Sequence, residues 1–202
     1  MDNRQLYLDS AAAVLGLVRR IPDDAWDNPA LGSWDVRALV GHTGRALSTV
    51  TQNVARPAAT LQLDGAAEYL AAGHRGAATL QDGVAQRGVD AGAALGADPA
   101  ATFASLLAEA EAALAAHPDP DEVIETVLGA MRLGDYLDTR VVELVVHGTD
   151  LAACLRTPIH LPTDAVAATV AILGRAAVLT GQGERLLRLA TGRDGSTFSV
   201  VL

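Results

Sequence analysis

Gly134-Asp135-Tyr136-Leu137-Asp138-Thr139-Arg140-Val141-Val142-Glu143-Leu144-Val145-Val146-His147-Gly148-Thr149-Asp150-Leu151-Ala152-Ala153-Cys154-Leu155 carries the strongest helical pattern in the chain. The spacing predicts a helix from Gly134 or Asp135 to Leu155, stopped by Thr157-Pro158. On it Glu143 and His147 are one turn apart and leave the same face, with Arg140 and Asp150 on the same stripe. Val141, Leu144, Val145 and Val146 occupy the rest of the circumference, so this helix buries most of its surface and shows one polar line.

The neighbouring segments repeat the helical theme. Leu6, Leu8, Ala12, Leu15, Leu17 and Val18 recur at near-helical spacing in Gln5–Arg20, and Pro22 ends that segment. Asp35 is a good N-cap for a second helix to about Val54, with Val36, Leu39, Val40, Leu47, Val50 and Val54 on one side. From Gly65 to Gly96 the pattern is helical but interrupted by six glycines, each costing about 1 kcal/mol relative to Ala inside a helix. Asp98-Pro99 opens another helix to about Ala116, Thr163 is expected to cap one to about Val178, and Glu184–Ala190 reads as a short one. Val123–Leu128 and Ser196–Leu202 have strand composition, and Gly181-Gln182-Gly183 is a turn, lacking both the preceding strand and the lysine of a phosphate loop. Half the residues are hydrophobic but only 3% are aromatic. A core of Ala, Leu and Val favours packed helices over a sandwich of strands.

Charge narrows the function classes. The net charge is −9, and all 15 basic side chains other than histidine are arginine, because the chain has no lysine. There is no basic run to displace counterions from a nucleic acid, no Schiff-base lysine and no P-loop lysine. The single cysteine, Cys154, can form neither an internal disulfide nor a multi-cysteine zinc site, and it lies near a helix C-terminus where a thiolate is disfavoured. No apolar run approaches the roughly 20 residues that span a bilayer, so the expectation is a soluble cytoplasmic protein, monomeric or homodimeric, with no nucleic-acid or membrane partner.

A carboxylate and an imidazole at i and i+4 can ligate one divalent metal if another helix supplies a third group. His42, at the border of the apolar stripe of the second helix, is the best candidate. Two histidines and a carboxylate with open positions suit catalytic zinc or non-haem iron. The competing reading is plain: a solvated Glu–His face and a half-buried histidine satisfied by a neighbour. Arg45, one turn after His42, can meet an anionic substrate or pair with a carboxylate. His74, His117 and His160 have no partner at ligand spacing, and Trp26 and Trp34 flank a loop that they pin to the bundle.

Three stretches resemble the mycothiol-dependent maleylpyruvate isomerase family of the DinB-like metal-binding helical bundles. These are Asp24-Ala25-Trp26-Asp27 with Pro29 and Ser33–His42; Gly134–Leu137 through Arg140, Glu143, His147, Asp150 and Leu151; and Leu189–Arg193 with Phe198–Leu202. The resemblance implies a mainly α fold, an up-and-down four-helix bundle over residues 1–156 with a short C-terminal helix and strand extension, an α/β appendage, over 157–202. It also implies metal ligands at His42, Glu143 and His147, zinc as the metal, and mycothiol or a similar low-molecular-weight thiol as cosubstrate. The implied activity is that of an isomerase or S-transferase in which a metal-held thiolate attacks a small electrophile. The alternative is a non-catalytic metal- or ligand-binding bundle. Arg45, Arg140 and Asp150 are candidates for substrate contact or for support of the ligands. Position 38 is Ala where the family often has an acidic residue completing a capping box. Residues 157–202 are shorter than the isomerase's C-terminal domain, so neither maleylpyruvate nor a catalytic arginine is carried over.

Overall fold

The computed structural model describes residues 2–195, and of residues 77–82 the backbone alone. Eight helices dominate. Asp2 opens α1 (Asn3–Val18), its carboxylate accepting the Arg4 N–H at 3.0 Å. A 3-10 turn at Asp23–Ala25 leads into a hairpin of β1 (Pro29–Leu31) and β2 (Trp34–Asp35), turned through Gly32 at φ +57°. That hairpin was not legible as strand, because segments of two and three residues carry no periodicity. Asp35 then caps α2 (Val36–Val54), its carboxylate accepting the Ala38 N–H at 2.7 Å.

The glycine-rich stretch forms α3 (Ala66–Arg75) and α4 (Ala77–Ala94), divided at Gly76. Asp98 caps α5 (Pro99–Ala116), with Pro99 in its first turn. Of the strand-like segment at 123–128, only β3 (Val123–Ile124) pairs, antiparallel to β4 (Met131–Arg132), with Val123 opposite Arg132 and Ile124 opposite Met131. β4 runs into α6 (Leu133–Leu155), which ends at Arg156 in the left-handed conformation, φ 51°. α7 (Thr163–Leu179) and α8 (Gly183–Ala190) follow, joined through Gly181 at φ +74°. Thr163 does not cap α7: Pro162 takes the N-cap position in extended backbone, so Thr163 is already the first helical residue and no side chain caps that end. The strand expected at Ser196–Leu202, with the Phe198–Leu202 motif, lies outside the described residues.

α1, α5, α2 and α6 form a four-helix ring in that spatial order, so α1 and α2 face each other diagonally. Tyr7, fully buried on α1, bridges the diagonal by donating its hydroxyl to the Ala46 carbonyl at 3.1 Å. Leu17, Leu39, Leu47, Phe103, Leu114 and Leu144 fill the ring and are wholly inaccessible to solvent. α4 covers the outer side of α2, and α7 packs against both α3 and α6. No described helix is long and apolar enough to cross a membrane.

The glycines of α4 have a packing role that helix propensity alone hides. A Cβ at Gly41 of α2 would overlap the backbone of Ala91 and Gly92, and one at Gly92 would lie 2.8 Å from the Ala38 Cα. The two helices therefore touch backbone to backbone. Ala38 itself is 4% exposed at this contact, which explains why the acidic residue of the capping box is absent here: Asp35 caps alone and a longer side chain at 38 would face α4.

Two predictions follow from this packing and from α6. Gly92→Ala forces backbone to move and should destabilise by about 1–3 kcal/mol or more. Gly174→Ala, where an added Cβ meets nothing within 4 Å in mid-α7, should stabilise by about 0.4–1 kcal/mol. Thermal denaturation of the two variants should move Tm in opposite directions. Asp138, half-buried on α6, has its carboxyl pushed up to about 6 by burial and then by Asp135 one turn earlier. A folded-state value above the unfolded one means the native chain binds more protons between pH 4 and 6, so this group makes stability fall as pH rises through that window. Asp138→Asn should flatten the decline and raise Tm at pH 8; an unchanged pH profile of Tm would refute it.

Candidate metal centre

His42 comes from the second turn of α2, and Glu143 and His147 from successive turns of α6. The packing of α2 against α6 closes the distance between them. His147 Nε2 lies 3.3 Å from Glu143 Oε2, and His42 Nε2 lies 4.0 Å from the same oxygen. One donor atom from each of the three lies within 4.8 Å of the others. Two donors about 2.1 Å from a tetrahedral ion would sit about 3.4 Å apart, so these separations fit a divalent metal after small adjustments.

The surroundings set the protonation. Asp150, one turn beyond His147, accepts from His147 Nδ1 at 3.0 Å. That bond fixes the ring so that Nε2 is the nitrogen turned towards Glu143, the orientation that a carboxylate gives a metal-ligating histidine. Burial pushes His147 downward, but the hydrogen bond and charge of Glu143, followed by Asp150, outweigh it and raise its pKa. Burial alone would raise Glu143; the His147 hydrogen bond and the Arg140 charge prevail and hold it at about 2. His42 is pushed down to about 4 by burial and then by His147, against the pull of Glu143. At neutral pH the cluster therefore offers an ionised carboxylate and a neutral His42.

Trp34 completes the wall. Its indole, 8% exposed, stands 4.5 Å from the His42 ring and donates from Nε1 to the Ala85 carbonyl at 2.9 Å. Gly88 of α4 makes room for it: a Cβ there would come within 2.5 Å of the indole. His147 meets the His42 ring edge to face, with ring centroids 4.9 Å apart. His42 Nδ1 is buried without a hydrogen-bond partner among the described residues.

The three candidate ligands line a cavity of about 820 Å³ that also meets Arg45, Arg140, Tyr69 and Tyr136. Arg45 has no carboxylate partner among the described residues, so of its two readings the one as an ion-pair partner is not realised; it faces the cavity instead. Arg140 is not a solvated stripe residue but a buried one, 8% exposed, with its guanidinium over Tyr136. Trp34, read from sequence as a loop anchor, is also the neighbour of His42. Arg56 and Arg87 reach the cavity as well. Arg56 continues the line His42-Arg45-Thr49-Gln52 along α2, a polar stripe visible in the sequence, whereas Arg87 carries no such signal. Away from the cavity, His74 and His160 are exposed, while His117 finds a partner in Glu122 at 3.0 Å across the turn that ends α5. Cys154 donates to the Leu151 carbonyl, and burial raises its thiol pKa.

A helical bundle gathering His, Glu and His at a cavity wall, in a group able to hold a metal ion, defines the class. The chain belongs to the mycothiol maleylpyruvate isomerase N-terminal domain family, which matches residues 7–152. No curated protein and no solved structure matches the chain.

Proposed function

We propose that this protein is a metal-dependent, thiol-using enzyme of the isomerase or S-transferase type, with His42, Glu143 and His147 holding the metal. The observation that carries the reading is the convergence of these three side chains from two helices on one wall of a ligand-sized cavity. Zinc is the metal that the donor set favours, and mycothiol or a related small thiol is the cosubstrate that the family suggests. When bound, the metal supplies the Lewis acidity that keeps a thiol deprotonated at an open position.

The chain's own residues prepare that chemistry. Asp150 fixes the His147 ring and keeps its Nε2 turned inward. Glu143 stays ionised across the neutral range, and His42 stays neutral under Trp34. Trp34 excludes water from one side of the cluster, while the opening towards Arg45 and Arg140 leaves room for a thiol and an electrophile together. The site also fits the cytoplasm, where small thiols are kept reduced.

Metal content by mass spectrometry, on untagged protein purified without chelator, tests the centre. We expect about one equivalent of zinc, lost in His42→Ala and in Glu143→Ala. Metal-free wild type indistinguishable from the variants would sink the proposal. Asp150→Ala should weaken zinc binding by about 10–100-fold in competition with a chromogenic chelator. Thiol-dependent consumption of a generic electrophile, abolished by His147→Ala, separates the enzyme from a bundle that binds metal without turnover.

A further inference from the structure

α7 is apolar on the side that faces away from the bundle. It packs against α3 and α6, and its buried residues are Ala165, Thr169 and Ala176. The opposite side carries Val166, Val170 and Val178, which are 40%, 64% and 68% exposed, with Ala167 and Ala171 exposed between them. Its 17 residues include two charges, Asp164 and Arg175. These are eleven residues apart, three helical turns, so they share one edge and leave the rest of the outer face apolar. A helix that is hydrophobic all round is ordinarily covered all round.

Exposed apolar surface is concentrated in this part of the molecule. Among the described residues eleven large hydrophobic side chains are exposed, and eight of them belong to α7 and α8. Of the other three, Leu31 and Val127 line the cavity and Val89 lies on α4. α8 packs against α7, has no buried residue of its own, and adds Leu186, Leu187 and Leu189 to the surface. Together the eight expose roughly 700 Å², close to the about 800 Å² per partner that a stable interface buries. That exceeds the largest apolar patch of an ordinary monomer.

Charge selects the occupant. Residues 1–156 hold 21 carboxylates against 11 arginines, whereas residues 157–202 hold three against four. Two copies of so acidic a chain repel each other over most of their surfaces, and the nearly neutral C-terminal helices are where they can meet without that penalty. A strongly charged partner gains nothing from such a face. We infer that the outer face of α7 and α8 is a homodimer interface, with α7 of a second copy laid against it about a twofold axis. None of the eight side chains lines the cavity, so interface and cavity are separate surfaces of each copy. α7 stands behind α3, which supplies Tyr69, and behind α6, which supplies Glu143 and His147, so the second copy braces two walls of the site from outside. The inference goes beyond the functional reading above and does not rest on it.

Sedimentation equilibrium of the full chain, from micromolar to near-millimolar concentration, measures the assembly. The expected species has twice the 20.8 kDa mass of the chain. Val170→Glu should raise the dissociation constant about 100-fold or more, because a twofold axis brings two new carboxylates into one interface. Position 170 is 64% exposed in the single chain, so the circular dichroism spectrum should stay unchanged. Val89→Glu places the same charge on an exposed valine of α4 and should leave the dimer intact. Should Val170→Glu not fold, Val178→Glu carries the test. A wild type that stays at 20.8 kDa throughout overturns the inference. So does a dimer that the α7 variant leaves unchanged, or that Val89→Glu dissolves equally. For a monomer, maleimide labelling of Val170→Cys in a Cys154→Ser background tells what replaces the second copy. Slow labelling that speeds up on removal of residues 196–202 assigns the face to the chain's own C-terminal segment, and fast labelling throughout leaves it uncovered.

Discussion

The backbone contact between α2 and α4 is the constraint on which the site depends. Gly41 and Gly92 let the two helices touch without intervening side chains, and Gly41 is the residue before His42. With that side of α2 held against α4, the next position round the helix is turned towards α6 and the cavity. Gly88 extends the same contact and accommodates the indole that stands beside His42. Three glycines that weaken helices in isolation thus fix where an imidazole points. Interior packing is dense enough that such a contact is either made closely or lost.

Electrostatics then decides what the site can tolerate. The cluster brings one carboxylate and two imidazoles into partial burial beside a guanidinium. Burial first and then His147 push His42 down, whereas for the other two the neighbours outweigh burial and move Glu143 down and His147 up. A lysine at position 140 could relieve burial by losing its proton, and the local field would go with it. Arginine keeps its charge, so Glu143 feels a permanent cation. In a chain whose cations are all arginine or histidine, the positive side of the site does not switch off.

The mainly α fold was legible because α2, α5 and α6 each combine long helical periodicity with a capping aspartate or a clear stop. The His–Glu–His grouping was legible for a related reason. Glu143 and His147 are neighbours on any helix, and His42 was the histidine at the edge of another apolar stripe. What sequence could not supply was everything set by contacts between distant segments. The partner of Trp34 is unreadable, since a tryptophan in a loop looks alike whether it faces leucine or imidazole. Arg140 shares a helical stripe with Glu143, yet its burial depends on Tyr69 from α3, about seventy residues away in the chain. The β1–β2 hairpin was hidden because strands this short leave no alternation to detect, whereas the strand composition of Val123–Leu128 did mark one arm of the other hairpin. The glycines were read by their cost in a helix, which is local, and not by the close approach they permit, which is tertiary.

The tilted contact between Trp34 and His42 has an optical consequence. An indole's emission responds to the charge and electronic state of whatever lies against its face, and here that neighbour is a candidate ligand 4.5 Å away. Trp26, the other tryptophan in the chain, lies instead beneath the Arg37 guanidinium. The protein therefore carries a built-in fluorophore at its own centre, with a second one outside it to serve as an internal reference.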